Sequence, residues 1–431
     1  DLQKVITFES TPGSADATFA SLLSHAPAPL AKLGPVASSD RLFSLDMVRG
    51  LAVLGILAVN AMTFAWPWAV VSNPALQTGF DAEAAQGWQV MHVFFQDKMR
   101  TLFSMLFGAS IFLIGGERAD KARGKLLRSR LFWLAVFGLV HGLAFWFGDI
   151  LLLYAWTGLF VMLVRSWSAR TLLIAGVCLN VVCSALYVGM MSLLAFAPPE
   201  AMAQAMEGSG WVSDPAKLAE LIAPFQGDAL SVTLHVMSMW PGVVPMMLIF
   251  FLPATIALML IGMGLYKSGF LAGRSPVWVY GLFIAAGAGS LWMVWQETSA
   301  FVAADFPFVE TMTKPWNSFL APFISLGYAS LLILLARFGL KLILTPLACA
   351  GRMAFTNYLS QTLIMTTIFY GGRGLGWYGQ IGWPDMWMII GGIWAAQLIW
   401  SPLWLSVFQM GPLEWGWRCL TYKRMVPLLK G

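Results

Sequence analysis

Charge is what this chain has least of. Asp, Glu, Lys and Arg make up 11% of its 431 residues, while 58% are hydrophobic and the mean hydropathy is +0.72. A soluble domain, in which roughly a quarter of residues are charged, is excluded by that balance. Histidine is scarcer still at four copies, and Cys178, Cys183, Cys349 and Cys419 show no metal-ligand spacing. A zinc module and a disulfide framework are therefore not expected, and the cysteines read as small core residues. Also missing are a Walker loop, a dinucleotide fingerprint, a G-x-S-x-G elbow and a metal box, so soluble-enzyme chemistries have no foothold. The absence of an internal repeat weighs against the transporter folds that are built from one.

Long apolar sequence, by contrast, is abundant. A helix needs about 20 apolar residues to cross a bilayer, and ten stretches qualify, near 47–70, 99–116, 131–147, 150–166, 171–197, 241–266, 276–296, 318–338, 347–370 and 386–408. The predicted fold class is all-α, a polytopic integral membrane protein of about ten transmembrane helices. Cytoplasmic loops collect Lys and Arg, which sets the orientation. With both termini cytoplasmic, 21 of the 26 basic residues lie inside and 13 of the 21 acids outside. The formal charge of +5 then reports topology, and nucleic acid is not an expected partner. Residues 1–40, rich in Ala, Ser and Pro, read as a flexible N-terminal tail. Residues 41–408 read as a single transmembrane helical domain and 409–431 as a cytoplasmic juxtamembrane segment. The polar loops 71–98, 198–240 and 298–317 are too short to fold alone, so chemistry must lie among the helices or at their mouths.

Polar residues inside apolar spans are costly and therefore informative. On the first span, "SLDMVRGLAVLGILAVNAM", Arg49 and Asn60 fall within about 20° of one helix face and about 16 Å apart along the axis. Asp46 can pair with Arg49, and Gly50 and Gly55 permit close approach of a helix or a ligand. Arg49 reads either as an anchor or as a binding residue, and Asn60 as interhelical glue or a ligand contact. "LVHGLAFWFGDILLLY" places His141 and Asp149 eight residues apart. The imidazole is a natural general base, or a neutral cross-helix hydrogen-bonding group. Asp149 suits the N-cap of the next helix and, compatibly, a carboxylate that orients His141. Tyr154 belongs to the interfacial belt or to the site.

"FFQDKMRTLFSMLFG" groups Asp97, Lys98 and Arg100, whose cations either snorkel to the interface or meet substrate. In "GRMAFTNYLSQTL", Asn357 and Gln361 share a face, with Arg352 at the inner mouth, and would bond a neighbouring helix or a substrate. Glu414 and Arg418 of "GPLEWGWRCLTY" read as an i, i+4 pair on a surface helix. Trp66, Trp68, Trp415 and Trp417 read as interfacial anchors. Pro241, Pro245 and Pro253 predict a kinked sixth span beside a cavity. His25, His92 and His235 lack partners at ligand spacing and read as surface residues.

From about 41 to 427 the chain resembles the YeiB-like family of bacterial inner-membrane proteins. The likeness rests on "LDMVRGLAVLGILAVN", "KMRTLFSMLFGA", "VHGLAFWFGDILLLY", "APFISLGYASL", "GRMAFTNYLSQTL" and "GPLEWGWRCLT". That family is similar in turn to membrane acyltransferases, among them the heparan-alpha-glucosaminide N-acetyltransferases and the O-acetylating acyltransferase-3 enzymes. The resemblance implies transfer of an acyl group from cytoplasmic acyl-CoA to a sugar, or another envelope hydroxyl or amine, across the bacterial inner membrane. Membrane lipids surround such a protein, a lipid-linked acceptor suits it, an oligomer is compatible with it, and no metal is implied.

In the O-acetylating group an Arg precedes a catalytic His on the first core helix. Here the matching position after Arg49 is Asn60, and an amide cannot act as the base. The glucosamine-acting enzymes carry Asn on that helix and their catalytic His in the following loop, where this chain has only His92. The residues themselves favour His141 as base with Asp149 orienting it, an assignment the family does not supply. Asn60 or Tyr154 would hold the acyl oxygen. Arg49 with Asp46, Arg352 and the basic loop 117–130 would receive the acyl-CoA phosphates. Tyr154, Asn357, Gln361, Lys98 and Arg100 are the candidates for acceptor binding. A transporter or flippase for a small metabolite or lipid-linked intermediate is the alternative, and a non-catalytic scaffold the third reading.

Overall fold

In lipid a spanning segment must satisfy its own backbone N–H and C=O groups, and for these apolar runs the helix does so. The computed structural model describes residues 43–77, 79–208, 211, 215–313 and 316–430. The predicted tail over 1–40 lies outside the described residues. The longer helices are α1 (Phe43–Ala65), α2 (Ala82–Phe94), α3 (Lys98–Gly115), α4 (Lys121–Ala144), α5 (Leu151–Val161), α6 (Ala169–Ser192) and α7 (Ala229–Met246). There follow α8 (Leu252–Lys267), α9 (Val277–Ala303), α10 (Trp316–Leu335), α11 (Lys341–Arg352), α12 (Ala354–Phe369), α13 (Trp383–Val407) and α14 (Pro412–Tyr422). Among the described residues, eight helical runs are long and apolar enough to cross a membrane. The chain is an all-helical, polytopic membrane protein.

Two of the ten predicted stretches form helices shorter than a bilayer crossing needs. Leu151–Val164 is one, and α12, with 16 residues, is the other. The stretch predicted as one span over 347–370 breaks at Met353, which leaves helical geometry and separates α11 from α12. The first N–H groups of α12 are bonded by the Glu414 carboxylate, so a new helix start is stabilised where one continuous helix was expected. The sixth span begins at Ala229, twelve residues earlier than predicted. Pro241 and Pro245 lie within α7, and a π-helical turn over Met247–Phe251 joins it to α8. A widened turn of this kind absorbs the backbone bonds that proline removes.

α1 is the hub, with 72% of its apolar window buried, and packs on α3, α11 and α12. Glycine makes two of the closest seams. A Cβ on Gly50 would collide with the Leu347 carbonyl, and one on Gly351 with the Asp46 carbonyl, so α1 and α11 meet backbone to backbone. Gly108 and Gly262 do the same for α3 and α8. α6 is peripheral, 11% buried, and turns Ile174, Val181, Val182 and Leu186 outward where lipid belongs. Trp68 is exposed as an anchor should be, but Trp66 is buried and donates to the Ile381 carbonyl, contrary to its reading as an anchor.

Candidate functional site

His141 lies in the last turn of α4, and Asp149 in the turn that leads into α5. Gly138, one turn before the histidine, lets the start of α5 lie against α4, since a Cβ there would strike the Leu152 backbone and come within 2.9 Å of Asp149 Oδ2. His141 Nδ1 is 2.8 Å from Asp149 Oδ1, and Nε2 is 2.9 Å from the Thr362 hydroxyl on α12. Asp149 Oδ2 accepts the Leu152 N–H at 2.8 Å, so one carboxylate both caps α5 and holds the imidazole. All three side chains are buried. With Asp149 ionised and the imidazole neutral, the ring proton lies on Nδ1 and Nε2 is an acceptor. The Thr362 hydroxyl must then be the donor.

The surroundings of this triad are aromatic. Trp146 stands edge-on to the imidazole at 6.1 Å between ring centroids, and Tyr358 lies at 5.4 Å. The Trp146 indole N–H has no acceptor among the described residues, and the Tyr358 hydroxyl donates to none. Arg373 clamps the turn between His141 and Asp149, donating to the Ala144 and Phe145 carbonyls at 2.7 and 3.0 Å and to Thr233 at 2.8 Å. Burial lowers the affinity of this guanidinium for its proton, and the neighbouring Tyr370 offsets part of that.

The other candidates do not gather around His141. No hydrogen bond joins Asn60 to it. One turn beyond Asn60, Phe64 stacks on Trp146 at 4.3 Å, which places two aromatic rings on that side of the imidazole. Asn60 is half-buried, and its amide has no hydrogen-bond partner among the described residues. Tyr154 is fully buried and bonds Ser104 at 3.0 Å. Asn357 and Gln361 are buried in an amide network. Asn357 donates to Ala350 and Ser401 and accepts from Trp400, while Gln361 donates to the Val53 carbonyl and to Gln397. This network joins α1, α11, α12 and α13, and takes up most of the hydrogen-bonding capacity of both amides.

Lys98 does not snorkel. It is fully buried and donates to the His92 carbonyl at 2.9 Å and to Asn317 of α10. Its neighbour Arg100 is paired with Asp97 at 3.6 Å, and Ser318 donates to the same aspartate. These residues form a second polar cluster joining the start of α3 to α10.

At the opposite end of α4, where basic residues concentrate, Arg49 pairs with Asp46 at 2.9 Å and reaches Ser110 at 3.5 Å. Arg130 feels the positive charge of both Arg418 and Arg49, and Arg418 that of Arg352. Four arginines thus gather around two carboxylates, Asp46 and Glu414. Arg352 donates to the Gln409 carbonyl at 3.0 Å, yet its Nε and the Nη1 of Arg418 are buried with no partner among the described residues. Burial lowers the affinity of Arg418 for its proton; Tyr422 and Glu414 counter that, and Arg352 adds to it. The predicted Glu414–Arg418 ion pair is replaced by another use of the carboxylate. Glu414 accepts from Phe355 N–H at 2.7 Å, Thr356 N–H at 3.1 Å and the Thr356 hydroxyl, capping α12. Its pKa is raised by burial, against these hydrogen bonds, which lower it.

Sequence reasoning missed Thr362, Trp146 and Gln397, took Arg130 only as part of the basic loop 117–130, and took Arg418 only as a surface partner of Glu414. Tyr358, Thr362 and Thr366 recur every fourth residue, a hydroxyl stripe that was available as a signal. Gln397 and Ser401 form a similar polar stripe in an otherwise apolar span.

The architecture defines a multi-pass helical membrane protein with buried polar sites. A family model described as "Protein of unknown function (DUF418)" matches residues 265–424. The uncharacterized protein YeiB of Escherichia coli is 33% identical over 406 residues, covering 90% of this chain and 98% of that one. The uncharacterized protein YxaH of Bacillus subtilis is 30% identical over 429 residues, covering 93% and 99%. An uncharacterized 39.9 kDa protein in the amylase 3′ region of Bacillus acidopullulyticus is 26% identical over 402 residues, covering 92% and 98%. The chain belongs to this YeiB-like family of DUF418 proteins. No solved structure matches it.

Proposed function

We propose that the protein is an acyltransferase of the bacterial inner membrane. It takes an acyl group from acyl-CoA at the basic, cytoplasmic end and passes it to a hydroxyl or amine of an envelope sugar or lipid-linked acceptor on the far side. The observation that carries this reading is the buried Asp149–His141 pair. Its hydrogen bonds leave Nε2 as an acceptor aimed at a hydroxyl, the arrangement a general base requires. A purely structural histidine could make the same bonds. The indole N–H and tyrosine O–H beside it, without acceptors among the described residues, are what such a residue would not need.

Two further features support the reading. The arginine cluster has unmet N–H groups and an excess of positive charge, which suits the phosphates of a CoA donor. The two short helices, α5 and α12, both meet this site, since α12 carries Thr362 and Tyr358 and the start of α5 is capped by Asp149.

The test is thermal unfolding of the purified protein against acetyl-CoA, palmitoyl-CoA and free CoA. A native-state site stabilises by mass action, by about 2.7 kcal/mol at one hundred times Kd. Arg418→Gln should shift that response to higher ligand concentration by about tenfold, the scale of one charge-assisted hydrogen bond. A flat response to all three ligands moves the conclusion to the second reading, a transporter or flippase. The buried Lys98 cluster favours that reading, because an ionisable group inside the membrane marks a pathway as readily as a reaction centre.

A further inference from the structure

We infer that Thr362 is itself acylated during the reaction and carries the acyl group from donor to acceptor. The inference rests on the acyltransferase reading. Asp149, His141 and Thr362 form a linear relay of 2.8 and 2.9 Å contacts, and the tautomer argument makes the threonine hydroxyl the donor to Nε2. That is the arrangement by which a weak alcohol nucleophile is activated: a base within hydrogen-bond reach, itself oriented by a third group. The hydroxyl of Thr362 has no other partner among the described residues. Thr366, one turn on in the same helix, instead spends its hydroxyl on the Thr362 carbonyl at 2.8 Å.

The chemistry balances with residues in place. Thr362 Oγ1 attacks the thioester carbonyl as its proton passes to His141 Nε2. The C–S bond breaks, an ester C–O bond forms, and the departing CoA thiolate takes the proton from the imidazole. An acceptor hydroxyl or amine then gives a proton to Nε2 and attacks the ester carbonyl, and Thr362 leaves with that proton. Trp146 N–H and Tyr358 O–H flank the imidazole without acceptors and would receive the developing oxyanion in both halves.

Thr362 lies eight residues from the start of α12, about 12 Å along its axis from the basic end. The arginine cluster lies at that basic end, and the turn over 145–150 at the other. Thr362 stands beside that turn, so an acyl group carried on it would be within reach of the same imidazole in both halves of the reaction.

The first half of the reaction needs no acceptor, so it can be examined although the acceptor is unidentified. Full-length protein in detergent is incubated with radiolabelled acetyl-CoA or palmitoyl-CoA, denatured, and assayed for bound label. The expected result is label that resists denaturation, is released by hydroxylamine and maps to the peptide containing Thr362. Thr362→Ser should retain it. Thr362→Val and His141→Ala should each lose about 100-fold or more, the scale of a lost nucleophile or base, while retaining donor-induced stabilisation. Wild-type protein that releases CoA without becoming labelled overturns the carrier and leaves the acyltransferase reading standing. The same holds for label on another residue, or for Thr362→Val turning over at the wild-type rate. Absence of both CoA release and donor-induced stabilisation overturns the two together.

Discussion

Around His141 both ring nitrogens and both carboxylate oxygens of Asp149 are in use, whereas at the basic end Arg352 Nε and Arg418 Nη1 are buried with nothing to bond. The Asp149–His141 pair itself is satisfied by its own chain, although the Trp146 and Tyr358 donors beside it are not, while the arginine cluster lacks an anion. A saturated buried network is rigid and holds a chosen proton arrangement. An unsaturated one gains most when a ligand arrives, since unmet buried donors are costly. On the proposed reading the two ends have different work, with binding free energy gathered at the arginines and proton transfer at the imidazole.

That division can be broken most directly at His141. His141→Ala should lower CoA release from acetyl-CoA by about 10²- to 10⁴-fold, with donor-induced stabilisation unchanged. A variant that kept its rate and lost its stabilisation would invert the roles of the two ends. Asn357 sharpens the comparison from the structural side. Asn357→Ala strands the Trp400 indole N–H and removes one of two donors from the Ala350 carbonyl, so chemical denaturation should report a loss of about 1–3 kcal/mol. Acyl labelling per folded molecule should not change, and a selective loss of labelling would return Asn357 to the site.

The smallest effect belongs to Glu414. Burial raises its pKa, so the fold favours the protonated form. Its contribution to stability is full below the ordinary carboxylate pKa and is lost as pH rises through the raised value. Thermal midpoints measured across the weakly acidic range should fall with rising pH in the wild type and flatten in Glu414→Gln. An equal slope in both proteins would remove Glu414 from the account.

Much of this architecture was readable from the apolar runs, because lipid leaves a chain few alternatives to the helix. The Asp149–His141 pairing was readable too, since eight residues across a turn return the chain on itself. Thr362 was not, because its meeting with His141 spans 221 residues and depends on how α12 lies beside α4. The break at Met353 escaped for a similar reason, as its stabilising carboxylate arrives from Glu414, about sixty positions later. Lys98 misled because helix-end lysines usually reach water, and only the packing of α10 supplies the Asn317 oxygen that keeps it inside.

Because main chain rests on main chain where Gly50 meets α11 and Gly351 meets α1, the roots of Arg49 and Arg352 are set by backbone geometry. Such a mouth behaves as a caliper with fixed jaws. On the proposed reading, the fixed span between the two arginines would itself decide which donor headgroups fit, before any reaction chemistry is consulted.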